Sequence, residues 1–454
     1  MSISTANPAT GLRIRSYRED TGREVDSALD RAGKAFAAWR ALSFEDRSRG
    51  LRSAAAVLRR RAEKLARLAT DEMGKPLSEA RAEVQKCRLV CEYYARHARG
   101  FLRDERPPGS PRWARVVFEP MGPILAVMPW NFPYWQVFRA AAPALMAGNT
   151  MLLKHAANVT GCARAIGDVF TEAGLPKGVF QALVMSTGRV AALVADPRVK
   201  AVTLTGSCQA GKSVASQAGA AMKKGVFELG GSDAYIVLQD ADIDHAAEVC
   251  ASSRLINAGQ SCIAAKRFIV VRPVARAFTE KFTARMAART VGDPLDPGTQ
   301  VGPLARSDLR DQLHRQVRAS VRRGAKVLIG GHPLAGPGFF YAPTVLSGVR
   351  KGMPAYSEEL FGPVASVIAV RDEAEAVKVA NDSPFGLGAA VFTRSRRTAE
   401  RVAARLEAGA VFANDFVRSD PSLPFGGVKQ SGYGRELGPQ GIREFATAKS
   451  LWMA

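Results

Sequence analysis

Ala201-Val202-Thr203-Leu204-Thr205-Gly206-Ser207-Cys208-Gln209-Ala210-Gly211-Lys212-Ser213 reads as a strand, a glycine turn and the opening of a helix. A helix that starts at the end of a strand points free N–H groups and a positive dipole end at whatever binds there, which suits phosphate. From Gly206 to Ser213 the stretch matches G-x-x-x-x-G-K-[ST] in full. A nucleoside triphosphatase is therefore one reading, with Ile236-Val237-Leu238-Gln239-Asp240 as its acidic companion strand.

Outward from this stretch the same texture repeats. Ile124–Met128 and Thr150–Leu153 are short apolar runs, and Thr160–Ala173 is helix-like. Beyond Gly231 a second cycle follows. Ala234–Leu238 and Arg267–Val271 read as strands, and Ile243–Ile256, Arg276–Arg289 and Asp308–Arg323 as helices. Alternation of this kind predicts parallel sheets covered by helices. At 454 residues two or three domains are expected. The division between the two α/β units falls near Gly230-Gly231. Upstream, Leu51, Ala55, Leu58, Ala62 and Leu65 form one helical stripe, and Gly74-Lys75-Pro76 breaks the region from Val25 to Phe101 into two helices. Pro424 to Glu436 is glycine-rich and loop-like, and the last residues suit an edge strand.

The net charge of +22 raises the question of nucleic acid. The cations are dispersed arginines such as Arg47, Arg49, Arg52, Arg59, Arg60 and Arg61, with no run of five and no aromatic-basic platform. A solvated basic surface is the expectation, and a steep salt-dependent affinity for DNA would be needed to overturn it. No apolar stretch approaches the length of a membrane span. The N-terminal residues lack a basic and apolar leader, so a cytoplasmic location is expected. The six cysteines, Cys87, Cys91, Cys162, Cys208, Cys250 and Cys262, form no C-x-x-C pair and share no metal-ligand spacing with the five histidines, so neither a disulfide framework nor a metal is expected.

Three segments carry the chemistry. Cys262 ends Asn257-Ala258-Gly259-Gln260-Ser261-Cys262, Glu228 lies in Phe227-Glu228-Leu229-Gly230-Gly231, and Asn131 in Pro129-Trp130-Asn131-Phe132-Pro133. A thiolate in an electropositive, partly open setting attacks a carbonyl, and a carboxylate then activates water to release the acyl group. A carboxamide N–H holds the oxyanion together with the backbone N–H of the cysteine. Gly230 and Gly231 let the backbone approach the reacting groups. In these segments the chain resembles the aldehyde dehydrogenase superfamily, from about residue 7 to the C-terminus.

The resemblance implies an α/β fold with two parallel-sheet domains and a small β oligomerisation arm. Residues 1–111 and 121–230 would bind the dinucleotide, 231–420 would be the catalytic domain, and 112–120 with 421–454 would form the arm. The arm would pair a hairpin near Arg112–Glu119 with a C-terminal strand, in a homodimer or homotetramer. Cys262, Glu228 and Asn131 are the implied catalytic residues. Lys154 joins them and also reaches the adenosine ribose. In this pattern Thr205-Gly206-Ser207 meets a pyrophosphate, which is a second reading of the phosphate turn. The chain has no G-x-G-x-x-G, and this superfamily binds its dinucleotide without one. Trp130 lies along the cofactor, Leu229 approaches the nicotinamide, Glu359 grips its ribose and Phe361 packs beside the ring. Where the family commonly has Lys-Pro-Ser/Ala-Glu, this chain has Lys154-His155-Ala156-Ala157. Ala157 removes a carboxylate that would repel a 2′-phosphate, so NADP is expected to compete at least evenly with NAD.

Among its members the chain looks most like the short bacterial succinate-semialdehyde dehydrogenases. Arg139, eight residues after Asn131 and on the helix that Trp130-Asn131 opens, would share a face with it and pair with the distal carboxylate. Arg418 is a second candidate. A broad-specificity aldehyde dehydrogenase and a CoA-acylating or phosphorylating relative remain alternatives. Glu228 speaks against the acylating type, which does not depend on that base.

Overall fold

Apolar runs too uniform for one-sided burial become strands covered on both faces. The computed structural model describes residues 2–453. One sheet has six strands in the order Gly432–Tyr433, Lys224–Glu228, Ala201–Thr205, Pro123–Met128, Thr150–His155, Phe180–Leu183. All neighbours run parallel except the two-residue strand at the Gly432 edge. Ile124, Leu125, Ala126, Met151, Leu152 and Leu153 are all buried, which is why no alternation marks these strands.

The second sheet has seven strands in the order Lys326–Ile329, Thr344–Ser347, Val364–Val370, Arg267–Val271, Ala234–Val237, Gly388–Phe392, Ala410–Ala413. Only the Lys326–Ile329 edge pairs antiparallel. Helices Ile243–Leu255, Arg272–Ala287 and Ser307–Arg322 follow the periodicity closely.

The N-terminal helical region differs from its sequence reading. It holds four helices, Gly22–Ala41, Phe44–Arg60, Ala62–Met73 and Leu77–Phe101. Gly74 ends the third at φ 86°, as the glycine there implied. The extra division before Phe44 has a legible cause. Ser43 and Asp46 form a reciprocal capping box, as Thr21 and Glu24 do at the first helix.

Ala114–Pro120 pairs antiparallel with Ala446–Trp452, from Ala446 opposite Pro120 to Trp452 opposite Ala114. The partner of residues 114–120 is thus the C-terminal strand itself. The rest of the tail does other work: Gly432–Tyr433 joins the first sheet beside Glu228 and Phe227, and Val428–Lys429 pairs with Phe385–Gly386. Among the described residues no helix is long and apolar enough to cross a membrane.

Candidate active site

The parallel strands of the first sheet all end on one edge, where open α/β sheets bind ligands. Pro129-Trp130-Asn131 follows one strand, Gly206-Ser207 the next, and Leu229-Gly230 the third. With Cys262, Glu359 and Phe361 from the second unit they line a cavity of about 420 Å³. Ser207 caps the helix Cys208–Ala220, its hydroxyl accepting from the Ala210 N–H at 3.2 Å. The Trp130 and Phe361 rings meet edge to face with centroids 5.7 Å apart. Glu359 Oε1 accepts the Gly231 N–H at 3.0 Å, and Lys266 Nζ lies 3.6 Å from it. Lys154 and Ala157 stand outside this cavity, at the end of Thr150–His155. Lys154 is nearly buried and donates to Thr187 Oγ1 at 3.2 Å, while Ala157 is exposed.

The loop that carries Cys262 is held in an unusual backbone. Asn257, Ala258 and Gly259 have φ of 54°, 52° and 75°. Three left-handed residues in succession persist only where neighbours over-determine them. Here Glu79 accepts the Asn257 N–H at 2.8 Å, and Asn257 Nδ2 donates to the Asn131 carbonyl at 2.7 Å. Arg254 Nη2 donates to the Gly259 carbonyl at 2.5 Å, and Gln260 Oε1 accepts the Ala305 N–H at 2.8 Å. Lys266, which sequence reasoning passed over, is the central clamp. Its buried ammonium donates to the carbonyls of Ser261, Cys262 and Ala264 at 3.0, 2.9 and 3.0 Å. The signal was available, because a lone lysine stands between Ala264-Ala265 and a buried strand.

Asn131 Nδ2 spends one N–H on the Gln260 carbonyl at 3.0 Å, which leaves its second N–H for a ligand. Cys262 lines the 420 Å³ cavity and also a second one of about 240 Å³, whose walls include Lys86, Phe132, Trp135, Arg139, Phe416 and Arg418. The thiol therefore sits at the junction of two cavities. Its expected electropositive setting exists, for Arg139 and Lys266 both favour the thiolate, but burial outweighs them and pushes the thiol up to about 12. At rest it holds its proton.

Three expectations need correction. The Glu228 backbone is at the site, since Leu229 and Gly230 line the first cavity. Its carboxyl lines neither cavity and lies against Gly426, whose Cβ position would be 2.7 Å from Oε1. Neither oxygen accepts a hydrogen bond among the described residues, and burial holds its pKa well above the carboxylate range, with Arg139 opposing and Glu436 adding to the rise.

Arg139 does not share a helical face with Asn131, because the helix begins only at Trp135. Its guanidinium touches the second cavity but is ion-paired with buried Glu436, sits 4.8 Å from the Phe425 ring centroid, and donates to Thr205 Oγ1 at 3.3 Å. Arg418 is likewise engaged, with Asp415 at 2.5 Å.

The triphosphatase reading also fails on position. Asp240 follows a strand of the second sheet, where it accepts from Thr393 Oγ1 and the Arg394 N–H, whereas Gly206–Ser213 belongs to the first sheet. Lys212 leans onto Gln430 Oε1 at 3.4 Å.

Comparisons with known proteins point to one family. The model of the family described as "Aldehyde dehydrogenase family" matches residues 1–451. The probable succinate-semialdehyde dehydrogenase [NADP(+)] of Synechocystis sp. is 49% identical over 455 residues, with all of both chains covered. The succinate semialdehyde dehydrogenase [NAD(P)+] of Escherichia coli is 46% identical, over 98% of this chain and 96% of that one. Among solved structures, the succinic semialdehyde dehydrogenase from Streptococcus pyogenes in complex with NADP+ superposes with a TM-score of 0.96 at 38% identity, covering 99% of each chain.

Proposed function

Because the chain belongs to the aldehyde dehydrogenase family, we propose that it oxidises succinate semialdehyde to succinate with NADP or NAD. One observation carries the reading: Cys262 opens at once onto a cavity fit for a dinucleotide and onto a smaller one fit for an aldehyde. The relatives' names support the substrate and the cofactor. The runner-up, a broad-specificity aldehyde dehydrogenase, draws on the aromatic walls Phe132, Trp135, Phe416 and Phe425.

The residues of the larger cavity fit a dinucleotide. Gly206 and Ser207 bring a thirteen-residue helix's N-terminus to it, and Trp130 and Phe361 offer ring faces. Ala157 places no carboxylate beside Lys154, and Lys154 enters no ion pair among the described residues, which supports a 2′-phosphate there. When bound, the nicotinamide supplies the hydride acceptor.

Cys262 Sγ gives its proton to solvent water as it bonds to the aldehyde carbon, and the C=O π pair moves to the oxygen, which becomes an oxyanion. Asn131 Nδ2 and the Cys262 N–H, neither of which is fully spent in the resting loop, donate to it. Losing one such donor costs on the order of 10²–10³-fold in rate. Oxidation leaves a thioester on Cys262. Glu228, once its carboxyl swings from Arg139 toward the thioester and gives its own proton to solvent, takes a proton from the water that adds to the acyl carbon, and the C–S bond breaks to release the acid and return Cys262.

Residues 1–111 and 121–230 would form the dinucleotide unit and 231–420 the thiol unit, as their separate sheets support. Residues 112–120 and 421–454 would form an arm between subunits of a homodimer or homotetramer, and exposed Trp113, Trp452 and Met453 support that role. Six free cysteines fit a cytoplasmic location.

The test is NAD(P)H absorbance over succinate semialdehyde, butyraldehyde and benzaldehyde with each cofactor. Cys262→Ala abolishes turnover and keeps cofactor binding. Near wild-type turnover in that variant would sink the assignment.

A further inference from the structure

A substrate with a distal carboxylate needs a cation in the smaller cavity, and both arginines suggested by the sequence are already neutralised. Arg139 pairs with Glu436, and Arg418 pairs with Asp415. A third cation lines the same wall. Lys86, on the helix Leu77–Phe101, brings its ammonium to 4.3 Å from the Trp135 ring centroid and donates to Ser419 Oγ at 2.9 Å.

Lys86 enters no ion pair among the described residues. The carboxylates nearest to it in charge are committed elsewhere. Glu83 is ion-paired with Lys75 and accepts the backbone N–H groups of Tyr134 and Trp135 at 2.7 and 2.9 Å, while Asp420, bonded by Ser422, favours the Lys86 charge from beyond ion-pair distance. An ammonium has three donors, and only one is spent here. Burial, with a smaller push from Arg139, brings its pKa down to about 8, so it is still mostly charged at neutral pH. A partly buried cation without a counterion is costly, and a ligand carboxylate removes that cost.

We propose that Lys86 is the carboxylate anchor of this enzyme, taking the distal carboxylate of the four-carbon semialdehyde while the aldehyde carbon lies at Cys262. Ser419 Oγ holds the ammonium in place, and the Trp135 face shields it from water. The inference rests on the succinate-semialdehyde reading and adds to it the residue that recognises the substrate's charge. Lys86 binds substrate and takes no part in the chemistry.

The experiment compares kcat and KM for succinate semialdehyde and butyraldehyde in the wild type, Lys86→Met and Lys86→Arg. Lys86→Met should lose roughly 10–100-fold in kcat/KM for succinate semialdehyde, chiefly through KM, and far less for butyraldehyde. Lys86→Arg should recover part of the loss. If Lys86→Met keeps the wild-type preference for succinate semialdehyde, Lys86 is not the anchor, though the substrate reading survives. An equal loss on both aldehydes assigns Lys86 a structural role and overturns the proposal. A wild type that does not prefer succinate semialdehyde to butyraldehyde overturns both readings together.

Discussion

Gly231→Ala should cripple turnover in a protein that still folds. Gly231 has no left-handed φ, so an alanine there meets no backbone strain of its own. The obstacle is space. A Cβ at this position would lie 2.7 Å from the Cys262 carbonyl oxygen, 3.1 Å from Asp233 Oδ1 and 3.2 Å from Leu387 Cβ. Reaching ordinary contact at 3.4 Å requires about 0.7 Å of movement from the tightest of these. The Cys262 carbonyl cannot yield alone, because Lys266 Nζ holds it at 2.9 Å and also ties Ser261 and Ala264. Either the thiol loop shifts as a body or the Gly230-Gly231 segment swings away from Glu359. Displacements approaching 1 Å at a reacting centre cost up to about 10²-fold. The expected loss in kcat is therefore roughly 10- to 100-fold, with a stability cost of about 1–3 kcal/mol for the overpacking. Initial rates from NAD(P)H absorbance, the rate of Cys262 alkylation by iodoacetamide and a thermal melt read the three consequences. Gly33→Ala is the control, since a Cβ there meets nothing within 4 Å on the helix Gly22–Ala41. A Gly231→Ala enzyme with kcat within about twofold of wild type and an unchanged melt would refute the claim that these two backbones are in forced contact.

Ala157→Glu should reduce kcat/KM for NADP relative to NAD by at least about tenfold, because the new carboxylate faces a 2′-phosphate. An unchanged cofactor ratio would mean that Ala157 does not adjoin the ribose. The pH profile of thioester hydrolysis tests Glu228. Its pKa is raised and its base form is required, so the rate climbs with pH through a limb above the usual carboxylate range of about 4. Glu436→Gln removes a like charge and leaves Arg139 to Glu228 alone, which should move that limb to lower pH by about one unit or more. A limb that stays in place would show that Glu436 does not set the proton affinity of Glu228.

The fold was legible where the signal is local. Strand Arg267–Val271 and helix Ile243–Leu255 follow from apolar runs and helical spacing within one or two residues. Asn131, Gly206, Leu229, Cys262, Glu359 and Phe361 line one cavity because each follows or precedes a strand whose end faces it. Side-chain direction was the illegible part. Nothing along the chain says that the Glu228 carboxyl packs against Gly426, since that depends on a glycine nearly 200 residues later leaving room for it. Arg139 was misassigned for a related reason. A spacing of eight residues places two side chains on one face only inside a helix, and four of those residues precede the first turn. Lys86 could not be singled out at all, because an unpaired cation is defined by what its neighbours already bind.

The arrangement of Glu228, Arg139 and Glu436 can be understood as a charge count. Two fully buried carboxyls share the Arg139 guanidinium, and Arg435 adds a smaller pull on Glu228. Burial disfavours charge on both, and Arg139 is already ion-paired with one of them. Glu436 holds the ion pair, and burial together with the Glu436 charge raises the proton affinity of Glu228. A neutral Glu228 does not repel an incoming carboxylate substrate and cannot act as a base while it stays there. Under the proposed mechanism the same side chain becomes a base by leaving this neighbourhood for one nearer Cys262 and water. The thiol obeys a parallel rule, since burial first, and the charges of Glu359 and Asp233 second, keep Cys262 protonated against two nearby cations. Burial thus disfavours the charged form of both groups, and the two cations that favour the Cys262 thiolate, Arg139 and Lys266, are structural ties first and electrostatic aids second.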